Sequence, residues 1–180
     1  MKIDKLFNGL KHIANGGYVL EGDLISEETI EIDLDACFVV RGRIQTKKSI
    51  VVRCGIKAGD GIKAGWGIKA GWGIEAGEGI KAGLGIEAGW GIKAGWGIKA
   101  GDGIKAGWGI EAGYGIEAGF GIEAGYGIEA GSFISVKKRI FAGISVYRTS
   151  KDCDKTIRCA ELRNGEICYG DLTLTKEEDE

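Results

Sequence analysis

The 180-residue chain has no proline, one methionine and one histidine. It also lacks any long uninterrupted apolar run. Each absence closes a class of explanation. Without proline, and with glycines spaced four and two apart (Gly55, Gly59, Gly61, Gly65), the glycine-rich middle is not collagen, which needs glycine at every third position. A lysine or glutamate recurs every six residues there, so no transmembrane helix fits. The single histidine, His12, lies outside this region and leaves it without the commonest general base. No CxxC pair occurs among Cys37, Cys54, Cys153, Cys159 and Cys168, so zinc-site spacing is missing and no metal or cofactor is expected. Neither sign of charge dominates, with 24 basic against 26 acidic residues, which argues against a nucleic-acid binder. An odd number of cysteines with no secretion or transit signal reads as reduced thiols in a cytoplasmic protein.

What is present is a six-residue word. From Gly55 to Ser132 the chain repeats Gly-Ile-(Lys or Glu)-Ala-Gly-x thirteen times without a gap, and this stretch holds 26 of the 34 glycines. Two glycines per word oppose a helix. The recurrent isoleucine, and a variable slot with five tryptophans, three other aromatics and a leucine, oppose a flexible or disordered tract. A strand-and-corner repeat remains. In a strand Ile56 and Ala58 point one way and Lys57 the other, and the glycines mark a corner where positive φ or close backbone approach disfavours a Cβ. Three such sides close a coil of 18 residues.

The charges test that period independently. At a lag of eighteen, seven of the ten Lys/Glu pairs are opposite in sign, including the alternation Lys69, Glu87, Lys105, Glu123, whereas at a lag of twelve only four of eleven are. The same lag aligns Trp72, Trp90, Trp108 and Tyr126 in one aromatic column. Trp66, Leu84, Asp102 and Phe120 form a second column, and Asp60, Glu78, Trp96, Tyr114 and Ser132 a third. Acids share this slot with tryptophan, so the slot faces outward. Stepping by six from the perfect words meets Ile50, Ile44, Phe38 and Ile32 on one side and Ile134 and Ile140 on the other, which extends the coil with degenerate terminal turns.

The expected fold is therefore all-β: a triangular parallel β-helix of 18-residue coils over residues 18–148, with perfect hexads over 55–132. Residues 1–17 are expected as an N-terminal capping helix, because Ile3, Leu6, Phe7, Leu10 and Ile13 have helical spacing before the stop Asn15-Gly16-Gly17. Residues 149–175 read as a C-terminal hairpin turning at Asn164-Gly165, and 176–180 as an acidic tail.

The word resembles the hexapeptide repeat of left-handed parallel β-helix proteins over residues 55–132. The resemblance implies a left-handed coil, although those proteins place the small inward residue two positions before the aliphatic one, whereas Ala58 follows Ile56. VVRGRIQTKKSIVV, at 39–52, resembles the right-handed triangular coils of bactofilin-like filament proteins, so both hands stay open. The best-known left-handed members are acyltransferases, which implies a histidine base between coils and a coenzyme cleft. No histidine lies in the coil here.

With no enzyme signature, the leading expectation is a non-enzymatic interaction protein. It is read as a rigid scaffold that binds a protein partner through an aromatic edge, Trp72, Trp90, Trp108 and Tyr126 with Trp66 and Trp96, and through charged faces carrying Lys63, Lys81, Lys99, Glu111, Glu117, Glu123 and Glu129. A phage-type inhibitor of a host defence system is one such protein. The second class is self-association into filaments or homodimers. The third is single-stranded nucleic-acid binding by lysines interleaved with tryptophans, which the acidic pI near 5.6 opposes. No membrane partner is expected.

Overall fold

A computed structural model describes residues 1–13, 16–144 and 154–175. The described residues form a parallel β-solenoid of eight coils joined by tight corners, with three strands in each of the first six coils and two in each of the last two. Within each word the three-residue strand buries isoleucine and alanine and leaves lysine or glutamate outside, as in Ile80–Ala82 and Ile92–Ala94. Isoleucine supplies the β-branched residue that a pleated surface favours, and alanine leaves room for the isoleucines of the other two sides.

Three sides result. Side I carries Ile56–Ala58, Ile74–Ala76, Ile92–Ala94, Ile110–Ala112 and Ile128–Ala130. Side II carries Ile62–Ala64, Ile80–Ala82, Ile98–Ala100 and Gly115–Ala118, and side III carries Ile68–Ala70, Ile86–Ala88, Ile104–Ala106 and Gly121–Ala124. Successive strands on each side pair in parallel at a lag of eighteen. Ile62, Ile80 and Ile98 accordingly stack in one internal column, with Lys63, Lys81 and Lys99 stacked outside. Phe133–Ala142 runs unbroken over sides II and III and joins their sheets.

The corners explain the two glycines. A Cβ added to Gly83 would stand 2.0 Å from the carbonyl oxygen of Gly65 in the preceding coil, an impossible approach, whereas at Gly85 the nearest such atom, Gly103 O, is 3.4 Å away. None of the repeat glycines has positive φ. Close backbone approach is therefore the reason for glycine, and at this corner only Gly83 is obligatory, whereas at Gly115 a Cβ would also stand 2.7 Å from the Phe133 ring. The approach is close because the corner N–H groups also bond from coil to coil: Gly83 donates to Ala64 O at 3.1 Å and Leu84 to Trp66 O at 3.0 Å. Among the described residues every buried side-chain N or O has a partner, including Thr46, whose hydroxyl donates to Glu28 O at 2.6 Å.

Three expectations are corrected. Residues 2–13 form no helix. Lys2–Ile3 pairs in parallel with Ile30–Ile32, and Leu10–His12 pairs antiparallel with Tyr18–Leu20. Helical spacing misled because these residues serve different layers. Ile3 is fully buried, Leu6 is 93% exposed, and Gly9 at φ 86° breaks any continuous turn between them. The segment still covers strand edges at this end, on sides I and III, which blunts edge-to-edge pairing.

The first coil is also longer than eighteen. Tyr18, Leu24 and Ile30 pair with Phe38, Ile44 and Ile50, a lag of twenty, so Ile30 rather than Ile32 sits beneath Ile50. The corner between Ile32 and Phe38 has five residues, where the corner between Val52 and Ile56 has three.

The hairpin at Asn164-Gly165 is absent. Glu161–Tyr169 is one strand, parallel to Phe133–Ala142, and Asp171–Leu174 is parallel to Thr156–Cys159. Gly165, at φ 118°, marks the bend of the eighth coil, with a register shift there, and a Cβ added to it would stand 3.2 Å from Val136. The solenoid thus continues to residue 174 and does not end near 148. The acidic tail, 176–180, lies outside the described residues.

Candidate functional site

The variable slot of each word projects from a corner, so each of the three slot columns becomes an edge of the rod. Between each edge and the outward face of the next side runs a groove floored by the glycine that precedes each isoleucine.

The edge before side I carries Trp72, Trp90, Trp108 and Tyr126. Trp72 and Trp90 are stacked, with centroids 5.4 Å apart and planes 9° apart, and Trp90 and Trp108 likewise at 5.6 Å and 13°. Tyr126 continues the column at 6.1 Å, tilted by 56°. The strand spacing of roughly 4.8 Å sets this distance, because one ring projects per coil. Both faces of Trp90 are covered by its neighbours, yet the residue is 49% exposed. Its accessible surface is therefore the ring edge. No protein acceptor among the described residues takes the indole N–H of Trp72, Trp90 or Trp108. The edge thus offers a strip of apolar rim with free donors. A base or sugar ring that stacks on an indole needs a free face, and Trp90 has none. The adjoining groove has a volume near 570 Å³ and is bordered by Lys57, Glu75, Lys93, Glu111, Glu129 and Arg158.

These six charges are paired. Lys57 contacts Glu75 at 2.7 Å, Lys93 contacts Glu111 at 2.7 Å, and Arg158 contacts Glu129 at 3.3 Å. The hydrogen bond to Glu111 raises the Lys93 ammonium above the ordinary lysine value. Arg158 was not legible as a member, since it lies 29 residues after Glu129 and not eighteen.

The other aromatic residues anticipated for the site do not join this ladder. Trp66 stands on the edge before side III with Leu84 and Phe120, where the Lys138 ammonium sits 4.3 Å over the Phe120 ring. Trp96 stands on the edge before side II with Tyr114. Tyr114 meets the Phe133 ring edge-on at 5.6 Å, and Arg163 lies 3.7 Å over Phe133. Neither Lys138 nor Arg163 carried a sequence signal, because both fall beyond the perfect words.

The charged residues also divide among the sides. Lys63, Lys81, Lys99 and Glu117 are on side II, Glu111 and Glu129 on side I, and Glu123 on side III. Lys99 pairs with Glu117, and Lys105 with Glu123 at 2.6 Å, which raises the Lys105 ammonium.

At the capped end His12 packs its ring 4.3 Å from that of Tyr18, whose hydroxyl donates to Asp35 at 3.2 Å. Lys5 also binds Asp35, at 2.8 Å, and holds that carboxyl below its ordinary range. Among the described residues no group of three or more His, Cys, Asp or Glu side chains is placed to hold a metal ion. No described helix is long and apolar enough to cross a membrane. Comparison with family models, with curated proteins and with solved structures finds no match to this chain.

Proposed function

We propose that the chain is a non-enzymatic interaction protein, a rigid β-solenoid rod that holds a protein partner along the edge formed by Trp72, Trp90, Trp108 and Tyr126. One observation carries this reading. Three exposed indoles are stacked in register, with both faces of the central Trp90 used up and the three rims and N–H groups presented together. Such a strip fits an apolar protein surface with backbone or side-chain acceptors, and aromatic anchors of this size dominate interface energetics. Anchors fixed in advance lose little side-chain entropy on binding, which favours affinity. Inhibition of a host defence protein is a special case, decided by the identity of the partner.

The test is capture from an extract of the cells that express the chain, with wild type and the Trp90→Ser/Trp108→Ser double variant as baits. A protein retained by wild type and at least about tenfold less by the variant supports the reading, as expected for loss of central aromatic anchors. Equal retention by both baits overturns it, as does the absence of any protein above the level of a blank matrix. Circular dichroism of both baits checks that the solenoid is intact, since the substituted positions lie outside the core.

A further inference from the structure

Ion pairing along the solenoid follows a rule with one exception. Of the seven lysines in the repeat, Lys57, Lys69, Lys93, Lys99 and Lys105 each contact a glutamate one coil further on. Lys63 and Lys81 do not. They stack directly on each other and beneath Lys99, so three like charges stand in register on side II. Like charges directly opposite on neighbouring strands are destabilising, and one glutamate at position 81, between the other two, would have removed the conflict.

The adjoining edge carries the complementary exception. Asp60 and Glu78 occupy the same two coils as Lys63 and Lys81, border the same groove of about 740 Å³, and also make no ion pair among the described residues. Four unpaired charges, two of each sign, therefore face one groove. Above them stand Trp96, at 71% the most exposed aromatic among the described residues, and Tyr114, at 57%. Trp96 shares its coil with Lys99, and Tyr114 shares the next with Glu117.

We propose that this surface is self-complementary and joins two copies of the chain side by side, parallel, about a two-fold axis along the rod. A two-fold in that direction keeps the level along the axis and exchanges edge for face. Asp60 then meets Lys63 of the second copy, and Glu78 meets Lys81 of the second copy. At the next two levels Trp96 meets the ammonium of Lys99 of the second copy, a cation–π match, and the Tyr114 hydroxyl meets Glu117 of the second copy. All four levels are matched in kind. An antiparallel pair over the same four coils would set edge on edge and face on face with the levels reversed, so that Lys81 meets Lys99 and neither Asp60 nor Glu78 meets a lysine. The contact covers four coils, about 19 Å at the strand spacing. It lies on a different edge from the tryptophan stack and does not depend on the function proposed for that stack.

The experiment is a charge exchange read by light scattering after size exclusion, at about 100 µM chain in ~20 mM salt, where exposed pairs are least screened. Wild type is expected at 38.2 kDa, twice the chain mass of 19.1 kDa, and at 19.1 kDa in about 0.5 M salt. Lys63→Glu/Lys81→Glu makes edge and face both acidic, and Asp60→Lys/Glu78→Lys makes both basic. Each is expected to run alone at the monomer mass, and an equimolar mixture of the two to recover the dimer mass. All substituted side chains point outward, so folding is not at stake. A monomeric wild type in low salt overturns the proposal. So do a dimer that survives in either variant alone and a mixture that stays monomeric. A dimer that persists in both charge variants and is lost in Trp90→Ser/Trp108→Ser would place self-association on the other edge and also overturns it.

Discussion

The two glycines of one corner make opposite demands, and a pair of alanine substitutions separates them. In Gly83→Ala the new Cβ would lie 2.0 Å from Gly65 O and 3.0 Å from Gly65 C. Relief to ordinary contact, about 3.4 Å or more, requires the two coils to part by more than 1 Å at that corner. Two hydrogen bonds hold it closed, from Gly83 N–H to Ala64 O at 3.1 Å and from Leu84 N–H to Trp66 O at 3.0 Å. Movement of that size takes both beyond bonding distance. Each bond is worth about 1 kcal/mol net, and a backbone group left unpaired costs about 1 to 3 kcal/mol, so a loss of about 2 to 5 kcal/mol follows. In Gly85→Ala the added atom sits 3.4 Å from Gly103 O, an ordinary contact, and the backbone there needs no positive φ. Alanine restricts the unfolded chain by about 0.4 to 1 kcal/mol, so this variant is expected to be neutral or slightly more stable. Urea unfolding followed by far-ultraviolet circular dichroism, on both variants in one buffer, reads the contrast. A loss below about 1 kcal/mol for Gly83→Ala, or equal effects for the two, would refute the close-approach account.

Other outcomes follow from the core and its thiols. Ile92, 1% exposed, occupies the middle of the internal column, so Ile92→Ala is expected to cost about 2 to 5 kcal/mol in the same unfolding assay. A loss below about 0.5 kcal/mol would mean that the neighbouring coils collapse onto the gap. Cys54 is buried and Cys37 exposed, and desolvation pushes the Cys54 thiol up to about 11. In a Cys153→Ser background, an aromatic disulfide reagent at neutral pH should consume Cys37 and Cys168 quickly and Cys54 and Cys159 slowly. Comparable rates for Cys37 and Cys54 would contradict the burial. The native state keeps the Cys54 proton in a range where the unfolded chain, titrating near 9.0, has lost it. Stability should therefore fall as pH rises from about 9 to about 11, and Cys54→Ala should make that decline shallower. An unchanged slope in the variant would assign the decline to other groups.

The repeat was legible because each of its positions has one physical job. Isoleucine and alanine fill the interior, the charged slot reports which residues are stacked, and five of the seven opposite pairs at a lag of eighteen are ion pairs, from Lys57–Glu75 to Lys105–Glu123. The terminal segments carried signals with two meanings. Ile3, Phe7 and Leu10 fit a helix face as well as they fit two strands and a turn, and only the unpaired edges of Ile30–Ile32 and Tyr18–Leu20 decide between them. Asn164-Gly165 suits a hairpin and a solenoid bend equally, and the open edge of Phe133–Ala142 draws the chain on in parallel. The aromatic column was legible from its spacing. That its rings stack face to face was not, because ring orientation depends on side-chain torsions that no spacing encodes. The unpaired state of Lys63 and Lys81 could be counted from the charge slot. The groove they share with Asp60 and Glu78 emerged only once the corner was folded.

The uniform pitch of the hexads also governs how such a chain can change length. Removing eighteen residues, for example 74–91, closes the rod by one storey, and every later side chain keeps its column. Removing six turns everything downstream by one side, so the tryptophan stack, the ion-pair ladders and the lysine row are all cut and spliced to strangers. Only the larger step leaves the outer surface continuous, so length variants that keep these surfaces should differ by whole coils.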